Sequence, residues 1–185
     1  FKQPFKTINQ HIHISAVSSD IGKDKEYLYR PTLTGGTAII STNHWASKVC
    51  DTKQDPRGHG TYTVTTYKGK NGKKLSLIAA YISVSKGSEM GENTLYNQQI
   101  TLMERNAIKD NSIWKPNKCP RKEAILAIST LLKELQENGH AIILAIDANQ
   151  TPQECITKGT VKHATIEWLR QEHGLEDPFI EILNA

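Results

Sequence analysis

Between residues 121 and 138, Ile125, Ile128, Leu131, Leu132 and Leu135 recur at helical spacing, while Lys122, Glu123, Lys133, Glu134 and Glu137 take the remaining surface. This pattern predicts an amphipathic helix over 121–138, with Gly139 well placed to end it. The next stretch, Ala141-Ile142-Ile143-Leu144-Ala145-Ile146, is continuously apolar and stops at Asp147. Such a run predicts a strand covered on both faces. Further upstream, 61–67 is rich in Thr, Tyr and Val, and 75–84 is largely apolar. A Gly- and Lys-rich turn separates them, so they are expected to form an antiparallel hairpin. Polar and apolar residues alternate over 11–17, which predicts another strand. A further strand is expected at 37–41, after Gly35-Gly36. Residues 93–105 are expected to hold a helix, and 162–173 a last one ending at Gly174.

The strand at 75–84, the helix at 121–138 and the strand at 141–146 read as a β-loop-α-β unit. Its crossover should be right-handed if the two strands are parallel. Parallel strands bring their C-terminal ends to one edge of the sheet. Tyr81, Asp147 and Asn149 should therefore converge on the edge where open α/β sheets usually bind ligands.

At 185 residues, a single domain is expected, with 1–30 as an irregular N-terminal part. Hydrophobic residues make up 37% of the chain and aromatics only 6%, so aliphatic side chains must supply most of the core. The longest apolar run falls far short of the roughly 20 residues a membrane helix needs. No basic-then-apolar leader is present. The first residue is Phe1, not Met, and the chain reads as a fragment of something longer. Cys50, Cys119 and Cys155 are odd in number and form no Cys-x-x-Cys pair. That pattern favours a reduced, intracellular setting, nuclear or cytoplasmic. His11 and His13 would share a strand face, but a closed zinc site needs four ligands and no third lies nearby. The net charge of +4 permits a nucleic-acid partner without demanding one. Lys68, Lys70, Lys73 and Lys74 cluster in the hairpin turn, either as a solvated tip or as a loop that contacts phosphate.

Asp147-Ala148-Asn149 is the sharpest local signal. In an extended chain, a carboxylate and an amide two residues apart point the same way. Together they suit a metal, a water or a phosphate. An Asx-turn after the strand is the plainer reading. The wider order is more informative. Gly35-Gly36-Thr37-Ala38-Ile39-Ile40 comes first, then Asp55-Pro56-Arg57-Gly58-His59, then the hairpin with Tyr81. The Leu-rich helix follows and leads into Asp147-Ala148-Asn149. A final helix leads into Gly174-Leu175-Glu176-Asp177. In this order the chain resembles the endonuclease/exonuclease/phosphatase family, the fold of DNase I and exonuclease III. It looks closest to the endonuclease domains of retrotransposons.

The resemblance covers about 31–178. It implies a mixed-sheet α/β sandwich of the DNase I-like type, incomplete at both ends. It implies Mg²⁺-dependent phosphodiester hydrolysis of DNA in the parent protein, weak or lost in this piece. Asp147 matches the family residue that activates or positions water. Asn149 matches the one that contacts the scissile phosphate, and Tyr81 a strand-end tyrosine that hydrogen-bonds near it. His59, Arg57 and Lys70 are candidates for substrate binding. Ile146 and Ala148 stand where the family often has Gly and Phe. The family's metal-binding Glu and its terminal Asp-His pair have no counterpart here, so the Mg²⁺ ligands are partly missing. Two other readings stay open: a catalytically dead remnant that binds nucleic acid or protein, and a lipid or inositol phosphate phosphatase of the same superfamily.

Overall fold

The computed structural model describes residues 11–18, 35–84, 94–110 and 118–178. Its centre is a four-stranded sheet made, in spatial order, of β3 (Val49–Gln54), β4 (Tyr62–Lys68), β5 (Lys74–Tyr81) and β6 (Ala141–Asp147). β4 and β5 pair antiparallel across the Lys-rich turn, from Tyr62 opposite Ala80 to Lys68 opposite Lys74. β5 and β6 pair parallel, as the β-loop-α-β reading requires. The sheet is therefore mixed, and the described residues form a mixed α/β architecture with no closed barrel among them.

The crossover between β5 and β6 carries two helices, α2 (Leu95–Lys109) and α3 (Pro120–Glu137). Pro120 opens α3 at a position where a missing N–H costs nothing, and the Gly139 backbone is left-handed (φ 69°) just beyond its end. The predicted stripe is the buried one: Ile125, Ile128 and Leu132 are fully buried against Val64, Ile78 and Ile82 of the sheet. Leu169 of α5 (Ile166–Glu172) joins the same cluster. α5 is shorter than expected because Thr165 caps it, accepting a hydrogen bond from the Trp168 N–H.

A second, two-stranded layer lies on the opposite face. β1 (Ile12–Val17) and β2 (Thr37–Thr42) pair antiparallel. Gly36 sits at the start of β2 with φ 123°, and a Cβ there would come within 2.7 Å of the Val17 carbonyl oxygen. Beside the buried Ile39, the contact between the layers includes two polar pairs. Ser15 Oγ meets Thr63 Oγ1 at 2.7 Å, and Ser41 Oγ meets the Tyr67 hydroxyl at 2.7 Å. Trp45, on the short helix α1 (Asn43–Ala46), packs edge-on against Tyr67. A one-turn helix α4 (Pro152–Cys155) and a small hairpin, β7 (Ile156–Thr157) with β8 (Thr160–Val161), link β6 to α5.

Two expectations change. β6 is not covered on both faces. Its residues alternate, with Ala141, Ile143, Ala145 and Asp147 exposed and Ile142, Leu144 and Ile146 turned toward α3. It is the last strand of its sheet, and the β1–β2 layer sits over β4 and β5 instead. In this chain, Ile143→Ser is expected to change stability by less than about 0.5 kcal/mol. Leu144→Ala should cost about 2 kcal/mol. Urea unfolding of the two variants checks the asymmetry, and equal losses would mean that both faces are covered. Second, the last helix does not run over the whole of 162–173: His163 precedes α5 and is exposed, and His173 is the half-buried residue that ends it. His163 lies against the Trp168 ring, with centroids 4.6 Å apart. His173 bridges α5 to α3 through Ser129 and Gln136. The residues at 1–10 and 19–34, most of the irregular N-terminal part, lie outside the described residues.

Candidate functional site

The parallel register of β5 and β6 places Tyr81 beside Asp147 at the last step of the ladder. Both residues end their strands, so the three polar groups do meet on one sheet edge. The Ile82 N–H donates to the Asp147 carbonyl (2.9 Å), carrying the pairing one residue further. The chain then turns. The Asn149 N–H donates to Asp147 Oδ1 (3.1 Å), forming an Asx-turn. Asn149 itself is left-handed (φ 47°), a region that Asn tolerates better than most residues. Its Nδ2 donates to the Ile82 carbonyl (2.8 Å), which brings the amide back across β5.

The Asx-turn reading and the functional reading are thus compatible. The turn uses one oxygen of the exposed Asp147 carboxylate and leaves Oδ2 for a water. Asn149 keeps its second Nδ2 hydrogen for an incoming oxygen. The hydroxyl-bearing Tyr81 is half-buried and lines a cleft of about 270 Å³ together with Gly35, Gly36, Thr94 and Tyr96.

Sequence reasoning missed the residue that joins these loops. Arg121, in the first turn of α3, is buried. Its Nη1 donates to the Ser83 carbonyl. Its Nη2 donates to the carbonyls of Ala148 (3.2 Å) and Asn149 (2.9 Å). The hydrophobic pattern carries no sign of this, because a charged residue at the head of an amphipathic helix reads as surface.

None of the three substrate-binding candidates lines the Tyr81 cleft. Arg57 is engaged within its own loop. Its Nε and Nη2 fork onto the Asp55 carboxylate at 2.8 and 2.9 Å, and Nη1 donates to the Glu123 carbonyl at 2.7 Å. It lines a groove between β3 and α3 that Tyr81, Asp147 and Asn149 do not line. Asp55 is buried. Desolvation pushes its carboxyl up, but the Arg57 hydrogen bonds and charge outweigh that and hold it below the ordinary 3.8. His59 is buried rather than solvated, and its carbonyl accepts from Gln99 Nε2 at 3.2 Å. Gln99 Oε1 in turn accepts from Ser83 Oγ, so this loop supports the strand-end region from behind. Lys70 lies in the 3-10 turn Lys70–Gly72 at the hairpin tip. That is the far end of β5, about 20 Å from Tyr81 at strand rise.

Among the described residues, no group of three His, Cys, Asp or Glu side chains is placed to hold an ion. Asp147 offers one carboxylate, already engaged at Oδ1. A hard divalent cation prefers six or more oxygens, so these residues do not by themselves fit Mg²⁺. The His11 and His13 pair gains no third ligand among the described residues either. The cysteines are unpaired with one another: Cys50 is exposed, Cys119 half-buried and Cys155 buried. No helix among the described residues is long and apolar enough to cross a membrane. Comparison with family models, with curated proteins and with solved structures finds no match to this chain.

Proposed function

We propose that the edge formed by Tyr81, Asp147 and Asn149 receives a DNA phosphodiester, and that the chain is the central part of a DNase I-like hydrolase. One observation carries the reading: a tyrosine, a carboxylate and an amide stand at the adjoining ends of two parallel strands. Asn149 Nδ2 suits a phosphate oxygen, because an amide donor binds an anion without adding competing charge. The Tyr81 hydroxyl supplies a second donor. Asp147 Oδ2 accepts a hydrogen from the attacking water and aims its lone pair at phosphorus. A cation, when bound, would neutralise phosphate charge and stabilise the leaving oxygen. Its ligands are not assembled by the described residues, so no step here is assigned to it.

That single carboxylate also favours a second reading, an edge that binds nucleic acid without cutting it. Both readings require binding. A short DNA duplex titrated into the labelled chain is expected to shift the amides of Ile82, Asp147 and Asn149. Affinity should fall steeply with salt, because each phosphate neutralised contributes about 0.9 to the log–log slope. Shifts confined to the Lys70–Gly72 turn, or binding indifferent to salt, would count against the edge. Cleavage separates the two readings.

A further inference from the structure

Nothing in the chemistry above uses Arg121, although it stands where α3 meets the ends of β5 and β6. It is 5% exposed, and among the described residues no carboxylate pairs with it. A buried cation is costly unless its hydrogens are used. Here they go to three backbone carbonyls, Ser83 after β5 and Ala148 and Asn149 after β6.

We propose that Arg121 is the positioning residue of this edge: its guanidinium fixes where Asp147 and Asn149 stand relative to Tyr81. The significance assigned to that edge rests on the phosphodiester reading; the clamp itself does not. Three carbonyl dipoles converging on one point repel one another unless a donor lies between them. The cation is that donor, and it holds the Ala148–Asn149 backbone by its oxygens. With those oxygens held, Asn149 keeps its left-handed backbone (φ 47°). That conformation aims its N–H at Asp147 Oδ1 and its Nδ2 at the Ile82 carbonyl. Arg121 also grips Ser83, the residue after Ile82, so one side chain references both loops to the same point. A planar fork of donors does this; the ammonium of lysine keeps the charge but not the geometry. Charge alone, or burial alone, would be satisfied by Arg121→Lys. Positioning would not.

The test uses residues 1–185, unsubstituted and as Arg121→Lys and Arg121→Met, with a short DNA duplex as the probe. In the free chain, Arg121→Lys should shift the amides of Ile82, Asp147 and Asn149 and speed hydrogen exchange at Asn149. The Lys70–Gly72 turn should be unmoved and the urea midpoint close to that of the unsubstituted chain. Duplex affinity should fall about tenfold, the scale of a lost charged hydrogen bond. Arg121→Met should fall at least as far, and should it fail to fold, Arg121→Lys still decides. Unmoved Asp147 and Asn149 amides in Arg121→Lys would overturn the proposal. So would moved amides with unchanged affinity, since the clamp would then position nothing that binding uses. If the unsubstituted chain binds no duplex, the phosphodiester reading fails, and the amide shifts of the free chain alone decide the clamp.

Discussion

Asp55→Ala is expected to lose about 3 kcal/mol of stability, the lower end of the range for breaking a buried ion pair. The Asp55 side chain is fully buried, while Arg57 is 26% exposed. The stranded guanidinium can therefore turn partly toward water, which keeps the loss from the top of the range. The carboxylate also accepts from the backbone N–H groups of Arg57 and Thr61. Those donors lose their acceptor, and Thr61 leads directly into β4. A net stability of about 5–15 kcal/mol is usual for a domain, so this one loop would remove a large part of it. Asp55→Asn should lose less, because an amide oxygen still accepts. The pH dependence has a definite sign. The folded carboxyl lies below its ordinary 3.8, so the stabilisation is complete above the unfolded value. It is lost as pH falls through the lower, folded value. Urea unfolding at pH 7 and near pH 3 measures both effects. A gap between the unsubstituted chain and Asp55→Asn that widens in acid would contradict the pairing.

What could be read ahead of the structure was whatever a local period encodes. Ile125, Ile128 and Leu132 recur at helical spacing and are the buried face of α3. The apolar run before Asp147 marked β6, and the helix between it and β5 allowed a parallel crossover. On that condition Tyr81 and Asp147 fall on one edge; that they stand side by side is a matter of register, which the structure supplies. β3 escaped because Val49-Cys50-Asp51-Thr52-Lys53-Gln54 has almost no apolar alternation; it is held by its ladder to β4. The one-sided exposure of β6 escaped for a different reason. Apolarity shows that a strand is buried somewhere in a family of arrangements, but not which strand is the edge. Arg57 and His59 were legible as a polar loop, yet their burial depends on α2 and α3 arriving from elsewhere. The Asp55-x-Arg57 spacing was the available hint of an internal pair. For Arg121 there was no hint, since its partners are backbone carbonyls, and any residue can supply those.

The largest effect is expected in cleavage. Residues 1–185 alone should nick plasmid DNA little in Mg²⁺, because the described residues gather one carboxylate at the edge and no ligand cluster. Transition-state charge stabilisation is commonly the dominant catalytic contribution, and a water-orienting Asp with a phosphate-binding Asn does not replace it. The same chain carried on through its flanking reading frame on both sides is expected to nick. In that longer protein, Asp147→Ala should lower the rate by at least about 100-fold, the lower bound for removing a positioned general base. Asn149→Ala should also impair it, since it removes the Nδ2 donor and puts alanine at a left-handed φ of 47° that Asn tolerates better. A supercoiled plasmid assay with a Mg²⁺ series reads all four proteins on one gel. Robust nicking by residues 1–185 would place the cation's ligands within this chain and overturn the donor-set argument. A longer protein that binds DNA without nicking would favour the non-hydrolytic edge. One that nicks at full rate with Asp147→Ala would remove that carboxylate from the chemistry, leaving Tyr81 and Asn149 as binding groups alone.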